Sequence, residues 1–194
     1  MQRINPKKTK TMSFGEAIKA CFEKYAVFSG RSRRSEYWYF YLFTFLVSLV
    51  LECIPFLGLL SFVWFLAQLI PSLAVTVRRF HDIGKSGWNY LFFAIPELLF
   101  FGYIFSIMFY AIKDLIDAGI DLNNWADNTE AIGKIIGNSI VTNGSLVTFC
   151  IYSFILVVSI ILWLVWMTRD SQPGENQWGP NPKEVPSNNN SGMN

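Results

Sequence analysis

Histidine, cysteine and charge are all scarce in this sequence. The 194 residues include one His and three Cys, and 15% are charged, against about 25% in a typical soluble domain. Cys21, Cys53 and Cys150 lack the paired spacing of zinc or redox motifs, so we expect no metal site and no cofactor. No local motif marks a Ser or Cys nucleophile, so we also expect no catalytic residue and no enzymatic activity.

Long hydrophobic runs are abundant instead. Hydrophobic residues make up 52% of the chain and aromatic residues 17%, and the mean hydropathy is +0.32. A membrane-spanning helix needs about 20 mostly apolar residues. Four stretches meet this requirement, at about 37–53, 56–77, 88–112 and 146–167. The sequence therefore predicts an all-α fold, an integral membrane bundle of four transmembrane helices within residues 30–182.

Residues 13–29 predict one further helix, ahead of the first span. Ser13 and Glu16 have the spacing of a capping box, in which each side chain bonds the backbone of the other residue. The apolar residues of this segment share one helical face: Phe14, Ile18, Cys21, Phe22 and Tyr25. The segment follows a basic tail at 1–12, so we predict an amphipathic helix in the cytoplasmic membrane interface. The polar tail at 183–194 is predicted to be disordered.

Lys and Arg are distributed asymmetrically along the chain. Nine of the 16 Lys and Arg lie in residues 1–34, and the short turn between the first two predicted spans has none. The connection after the second span carries Arg78, Arg79 and Lys85, whereas segment 113–144 is mainly acidic. Because cytoplasmic loops are enriched in Lys and Arg, we expect both termini in the cytoplasm and segment 113–144 outside.

Three short polar signatures flank the predicted spans: "FSGRSRRSEYW" at 28–38, "RRFHDIGKSGW" at 78–88 and "PGENQWGPNP" at 173–182. In this order they resemble the signatures of domain-of-unknown-function family 805, small bacterial inner-membrane proteins. The resemblance implies a location in the bacterial inner (plasma) membrane and implies no particular activity. In the shorter members of that family, one apolar stretch links the last two signatures, whereas segment 113–144 and a fourth span intervene here. Four crossings would bring all three signatures to the cytoplasmic face.

The first two signatures contain the candidate ligand or headgroup-binding residues: Arg31, Arg33, Arg34, Glu36, Arg78, Arg79, His81 and Asp82. One hypothesis is that the arginines enforce topology and lock the helix ends by pairing with Glu36 and Asp82, since Arg bonds a carboxylate through two parallel hydrogen bonds. The alternative is a site for anionic headgroups or another acidic ligand. Each basic residue near an anionic membrane surface contributes about 1 kcal/mol of binding free energy. A catalytic role for His81 is disfavoured. The nearest carboxylate, Asp82, is its direct sequence neighbour, and this placement does not favour the geometry in which a carboxylate orients a catalytic histidine.

Two polar residues fall near the middle of predicted spans. Gln68 lies nine residues before the end of the second span, and Glu97 nine residues after the start of the third. Each is therefore at a depth of roughly 13 Å. Ionisable residues at this depth face inward and pair, so we predict that a protonated Glu97 bonds Gln68. Such a layer would serve as contact between helices or as a proton or ion path.

These features predict a non-enzymatic scaffold or binding module. Its basic cytoplasmic face would engage anionic headgroups, an acidic ligand or a partner protein. The alternative is a small transporter or channel component that uses the Glu97 and Gln68 layer. The expected partners are the lipid bilayer, including anionic lipids, and a protein partner or second copy of the chain, with no nucleic acid.

Overall fold

The computed structural model describes residues 11–54, 56–120, 128–143 and 146–184. These residues form six α-helices and no β-strand, which confirms the all-α fold class. The helices are α1 (Phe14–Glu23), α2 (Arg34–Glu52), α3 (Gly58–Asp82), α4 (Leu91–Asp117), α5 (Thr129–Asn143) and α6 (Leu146–Thr168). Most of the predicted basic tail at 1–12 and of the tail at 183–194 lies outside the described residues.

The contacts within the chain divide it into two units. The first unit is Met1–Tyr90 together with Val165–Asn194, and the second is Leu91–Leu164. The first unit therefore contains α1, α2, α3 and the end of α6. The second contains α4, α5 and most of α6.

Within the described residues, three helical segments are long and apolar enough to cross a membrane: Gly58–Asp82, Gly87–Asp117 and Leu146–Thr168. They correspond to the second, third and fourth predicted spans. The predicted first span, within α2, is not among them; α2 begins with Arg34 and Glu36 and continues through Tyr37, Tyr39 and Tyr41. The total of four crossings stays a prediction.

Many large apolar side chains of the three apolar helices are exposed. Phe62 of α3 is 57% exposed, Leu98 of α4 is 71% exposed and Phe154 of α6 is 70% exposed. Exposed apolar surface on this scale marks a contact with lipid or protein. In helices long enough to span a bilayer, lipid is the expected neighbour, because a helix satisfies its own backbone hydrogen bonds in hydrocarbon.

Helix α1 begins with the predicted capping box. The Ser13 hydroxyl accepts from the Glu16 N–H at 3.3 Å, and the Glu16 carboxylate accepts from the Ser13 N–H at 2.8 Å. The helix ends at Glu23, so the predicted helix was too long: residues 24–26 form a turn and residues 27–29 are irregular. Its apolar face packs on α2, where the Phe22 ring makes edge contacts with Phe40 and Phe43. The interfacial location of α1 stays a prediction.

Helix α3 extends farther than the predicted span. Arg78, Arg79, His81 and Asp82, expected in a connecting loop, instead form the last turns of this helix. The helix ends where Gly84 adopts a positive φ of 76°. There the Gly84 N–H donates to the His81 carbonyl at 3.1 Å, and the Lys85 N–H to the Phe80 carbonyl at 2.9 Å. These two bonds form the Schellman motif, which favours glycine. The helix therefore holds the side chains of the second signature in fixed positions.

The second unit is held together by aromatic contacts. Phe93 of α4 packs against Trp163 of α6 with ring centroids 4.9 Å apart, and Tyr103 packs against Tyr152 at 5.2 Å. Residues 129–143 of the predicted external segment form α5, which packs on α4.

Candidate functional site

Asp82 is the centre of a buried charged cluster at the end of α3. Its carboxylate accepts from Arg31 Nε at 3.1 Å and from Arg79 Nη1 at 2.5 Å. It also accepts from the Ser171 hydroxyl at 2.6 Å. Asp82 and Arg79 are completely buried, and Arg31 is 6% exposed. One carboxylate therefore holds two guanidinium groups and the start of the C-terminal loop.

Arg78 forms a second buried ion pair, with Glu36 at the start of α2. The Arg78 Nη2 and Glu36 Oε1 atoms are 3.3 Å apart, and both side chains are almost completely buried. Arg78 Nη1 also donates to the carbonyls of Lys24, at 3.2 Å, and Val27, at 2.5 Å. Lys24 caps the C-terminal end of α1, where the last carbonyls lack partners within the helix. Arg78 thus ties the ends of α1 and α3 to the start of α2.

Arg79 makes the equivalent contact with the end of α6. Its Nε and Nη2 atoms donate to the Met167 carbonyl at 3.3 Å and 3.1 Å, and Nη2 also donates to the Arg169 carbonyl. The C-terminal end of a helix carries partial negative charge, which favours a cation there. Arg33 donates in the same manner to the carbonyl of Pro182 in the C-terminal loop.

The C-terminal loop, residues 171–184, packs onto this cluster. Arg31 Nη2 donates to the Gln172 carbonyl at 2.6 Å. The Trp178 ring stacks on the His81 ring with centroids 4.5 Å apart. His81 Nδ1 lies 3.1 Å from the Gly30 carbonyl, and because a carbonyl only accepts, Nδ1 carries the proton. The third signature is therefore brought into contact with the first two.

We call this group the arginine cluster: Arg31, Arg33, Arg78 and Arg79 with Glu36 and Asp82. All six residues are buried. Burying charge costs free energy unless each ion finds partners, and two carboxylates cannot balance four guanidinium groups alone. Backbone carbonyls at the ends of α1 and α6 and in the C-terminal loop supply further acceptors. The cluster is therefore a structural joint with internal partners.

Cys21 and Asp170, which lie near the cluster, have shifted pKa values. Burial raises the pKa of the Cys21 thiol to about 12, and the negative charge of Glu36 adds to this rise. The pKa of Asp170 lies below its ordinary value, first because Lys183 donates a hydrogen bond to its carboxylate. Cys21 is therefore a neutral buried thiol, while Asp170 is an ionised surface carboxylate.

Arg34 differs from its neighbours because its side chain is 43% exposed. Its Nη1 donates to the Thr168 carbonyl at 3.1 Å, and its Nη2 is 3.2 Å from the Asp170 carboxylate. It borders a cavity of about 300 Å³ lined by Arg34, Ser35, Trp38, Tyr39 and Thr168. We call this the Arg34 cavity. A cation beside two amphipathic aromatic rings is a typical arrangement at the headgroup layer of a membrane.

Comparison with known proteins identifies the family of the chain. Residues 25–115 match the family model described as "Protein of unknown function (DUF805)". The chain is 40% identical over 97 residues to inner membrane protein YhaI of Escherichia coli K12, covering 47% of this chain and 79% of YhaI. The chain belongs to the DUF805 family. Inner membrane protein YhaH of the same organism is 35% identical over 96 residues, covering 45% of this chain and 77% of YhaH. No solved structure matches.

The DUF805 membership confirms the resemblance inferred from the three signatures. Residues 25–115 contain the first and second signatures, and the third lies beyond them. The structure nevertheless brings all three together in the first unit. The family and the three apolar helices make the chain an integral membrane protein, and its relatives are named inner membrane proteins.

The predicted site residues fall into three groups. Most of the eight candidate ligand or headgroup-binding residues are buried in or beside the arginine cluster, and Arg34 is the one with a substantially exposed side chain. Gln68 is half-buried in the first unit, whereas Glu97 is exposed on α4 in the second. The hydrogen bond between Gln68 and Glu97 stays a prediction. Among the described residues, no group of three or more His, Cys, Asp or Glu could hold a metal ion, and Cys53 and Cys150 are free thiols.

Sequence reasoning missed two residues that contact the arginine cluster or its neighbour His81. Ser171 donates to Asp82, and nothing in its sequence context distinguishes it from other serines. Trp178 covers His81, and the sequence around Trp178 could have indicated this contact. A tryptophan within a polar loop rich in Pro and Gly has to find an apolar or aromatic surface, and His81 belonged to the signature expected nearby.

Proposed function

We propose that α2 is the first of four membrane crossings and that the arginine cluster lies at the cytoplasmic boundary of the inner membrane. The 19 residues of α2 extend about 28 Å at 1.5 Å per residue, close to a hydrocarbon thickness of about 30 Å. The charged residues of α2 lie at its two ends, Arg34 and Glu36 in the first turn and Glu52 at the last position, and the cluster holds Glu36. The asymmetry of Lys and Arg supports cytoplasmic termini.

We further propose that the protein is a non-enzymatic scaffold and binding module that engages anionic lipid headgroups. The arginine cluster ties α1, α2, α3 and the end of α6 into one rigid cytoplasmic cap. The partners of Arg31, Arg78 and Arg79 are already within the protein. Among the arginines of the first two signatures, ligand binding therefore falls to Arg34, whose side chain is 43% exposed.

The Arg34 cavity is the observation that carries this proposal. Arg34 presents donors beside Trp38 and Tyr39, at the end of a helix that we place at the membrane surface. Asp170 lies between Arg34 and Lys183, so these three side chains together have one excess positive charge. A phosphate group would find a cation, a hydroxyl from Ser35 and an aromatic wall within one cavity.

The test compares lipid retention by two arginine variants. The wild-type protein, Arg34→Gln and Arg169→Gln are purified in mild detergent from membranes of equal composition, and the bound phospholipid is quantified by mass spectrometry. Arg169 is an exposed arginine outside the cavity lining, so it controls for loss of one positive charge. We expect wild type and Arg169→Gln to retain phosphatidylglycerol over phosphatidylethanolamine. In Arg34→Gln this preference should fall about 5-fold, the equivalent of about 1 kcal/mol.

Two results would contradict the proposal. One is a wild-type protein that retains anionic and zwitterionic lipid equally. The other is an equal fall in both variants, which would mean that total charge rather than the cavity determines lipid retention.

A small transporter is the second candidate function. It is supported by a cavity between α2 and α3 whose lining includes Gln68. The mechanism would use Glu97 as a carrier of protons or ions. Proton flux into proteoliposomes that is abolished by Glu97→Leu and unaffected by Arg34→Gln would favour transport over headgroup binding.

A further inference from the structure

A cavity of about 470 Å³, lined mainly by apolar surface with several polar side chains, lies between α2 and α3 in the first unit. Both helices contribute a stripe of hydrogen-bonding side chains at helical spacing. On α3 these are Gln68, Ser72 and Thr76, and on α2 they are Tyr41, Thr44 and Ser48. The apolar part of the wall includes Phe45 and Phe65, which are 62% and 52% exposed. The cavity therefore opens between side chains that would face lipid.

The hydrogen bonds around this cavity leave two polar groups unused. The Tyr41 and Thr76 hydroxyls bond each other at 3.1 Å, and the Trp64 indole donates to the Ser48 hydroxyl at 3.2 Å. Within the described residues, the Gln68 carboxamide and the Ser72 hydroxyl make no hydrogen bond. Gln68 lies ten residues from the start of α3, about 15 Å along the helix. Its amide is thus deep in the proposed hydrocarbon layer.

The lining chemistry restricts what can occupy the cavity. An unsatisfied carboxamide in hydrocarbon costs several kcal/mol, so an occupant that bonds Gln68 is strongly favoured over an acyl chain. No charged side chain lines the cavity, so a charged group would have no counter-ion there. A volume of about 470 Å³ is within the range of small-molecule sites, which are mostly apolar with a few placed polar groups.

We propose that this cavity is a binding site for a neutral amphipathic molecule that enters from the bilayer. Its hydroxyl or carbonyl end bonds Gln68 and Ser72, and its apolar body lies against Phe45 and Phe65. This site is separate from the Arg34 cavity in residues and in chemistry, because one selects a neutral polar end and the other an anionic headgroup. Neither site depends on the other.

The test uses three photoreactive probes with the same alkyl chain and diazirine. One ends in a hydroxyl, one in a carboxylate and one in a phosphate. Each is photolysed with the full chain in phosphatidylcholine nanodiscs, and the labelled residues are mapped by mass spectrometry. We expect the alcohol to label the cavity walls on α2 and α3. An excess of unreactive alcohol should abolish this labelling in the wild-type protein, whereas the alkyl phosphate should not compete.

Variants then assign the labelling to the polar groups. Gln68→Leu and Ser72→Ala should each lower alcohol labelling about 5- to 10-fold, as expected for the loss of a hydrogen bond. Ser106→Ala is the matched control, because this hydroxyl is on α4, bonds the Tyr103 carbonyl and does not line the cavity. It should label as wild type does. Competition in the wild-type protein keeps the test valid if a variant does not fold.

Three outcomes would overturn the proposal. Labelling that is spread over all lipid-facing surfaces and is not competed would mean that no site exists. If the carboxylate and phosphate probes labelled the cavity walls as strongly as the alcohol probe, the cavity would not select a neutral group. Efficient disulfide formation between Gln68→Cys and Glu97→Cys in a Cys53→Ser, Cys150→Ser background would mean that α4 fills the cavity. A monomeric product would assign α4 of the same chain, and a dimeric product α4 of a second copy.

Discussion

Trp178 lies flat on His81, with 7° between the two ring planes and 4.5 Å between their centroids. The same loop forms two further bonds near this stack. Asn176 Nδ2 donates to the His81 carbonyl at 3.0 Å, and the Trp178 N–H donates to Asn176 Oδ1 at 3.0 Å. The conformation of the third signature is therefore linked directly to the end of α3.

Trp178→Ala should loosen the C-terminal loop without unfolding the membrane helices. Stacked aromatic pairs contribute about 0.5–1.5 kcal/mol beyond buried area, so exchange protection of the Gln172 amide, which donates to the Asp82 carbonyl, should fall about 2- to 10-fold. Hydrogen exchange with mass spectrometry measures this. Trp178→Phe, which keeps an aromatic ring, should retain most of the protection. Trp88→Ala is the control, because Trp88 is 79% exposed. Equal loss of protection in the control would contradict the role of the stack.

Asp82→Asn should destabilise the first unit strongly. The substitution keeps the shape of the side chain but removes the negative charge shared by Arg31 and Arg79. Removing one partner of a buried ion pair costs about 3–5 kcal/mol, because the remaining charge stays buried. We expect a large fall in the apparent Tm in detergent, measured by the loss of the monodisperse chromatographic peak after heating.

Asp170→Asn is the matched control for Asp82→Asn. Asp170 also pairs with basic residues, but its side chain is 68% exposed, and exposed pairs contribute about 0–1 kcal/mol. Its apparent Tm should stay close to that of the wild-type protein. If the two variants were equally stable, burial would not determine the importance of the Asp82 pairs.

The sequence predicted the parts of this structure that depend on local pattern. The capping box of Ser13 and Glu16 follows from spacing alone, and the apolar spans follow from composition over a long window. The pairing of arginines with Glu36 and Asp82 could also be predicted from the sequence, because these two are the acidic residues of the first two signatures. The three signatures meet because each follows or precedes a long apolar helix at the same end.

The acceptors that neutralise the remaining arginine charge could not be predicted. Backbone carbonyls, such as those of Met167 and Gln172, have no residue signature, so their roles depend on where helices end and how the loop folds. The extension of α3 to Asp82 was missed for a related reason. The sequence predicts that the helix stops before Arg78, whereas tertiary partners stabilise Arg78 and Arg79 within the last helical turns.

Gly84→Ala should displace the Gln172 side chain and loosen the C-terminal loop. A side chain at a positive φ of 76° costs about 1–2 kcal/mol, and the added Cβ would lie 2.7 Å from Gln172 Oε1. Moving Gln172 breaks its bond with Asn176, which is 3.0 Å long. We expect lower exchange protection across residues 171–184. The double variant Gly84→Ala, Gln172→Ala, which removes the clash, should show less disturbance near the Asp82 carbonyl.

Gly119→Ala separates the two effects of the Gly84 substitution. Gly119 ends α4 with a φ of 69° and has open space around its Cβ position. It therefore shares the backbone cost but touches no loop residue. Its substitution should leave residues 171–184 as protected as in the wild-type protein. A matching loss of protection would mean that helix termination, and not the approach of Gln172, explains the Gly84 result.

Cys21 should resist alkylation in the folded protein. The thiolate is the reactive form, and with a thiol pKa of about 12 it is almost absent at neutral pH. Iodoacetamide should therefore modify Cys21 only after unfolding, as measured by intact mass in native and denaturing detergent. Glu36→Gln removes the second cause of the raised pKa but not burial, so Cys21 should remain largely unreactive in that variant. Rapid modification of Cys21 in the native wild-type protein would contradict its burial beneath the arginine cluster.

Because Cys21 is expected to react slowly, it can remain in the chain when introduced cysteines are labelled to test the four crossings. In a Cys53→Ser, Cys150→Ser chain, Ser86→Cys reports on the connection after α3 and Asn138→Cys on α5, and both positions are exposed. With an even number of crossings and cytoplasmic termini, a membrane-impermeant maleimide applied to intact bacteria should label Asn138→Cys alone. After the membrane is permeabilised, both cysteines should be labelled, which controls for local accessibility. Labelling of Ser86→Cys from outside would reverse the topology and place the Arg34 cavity on the wrong face for cytoplasmic headgroups.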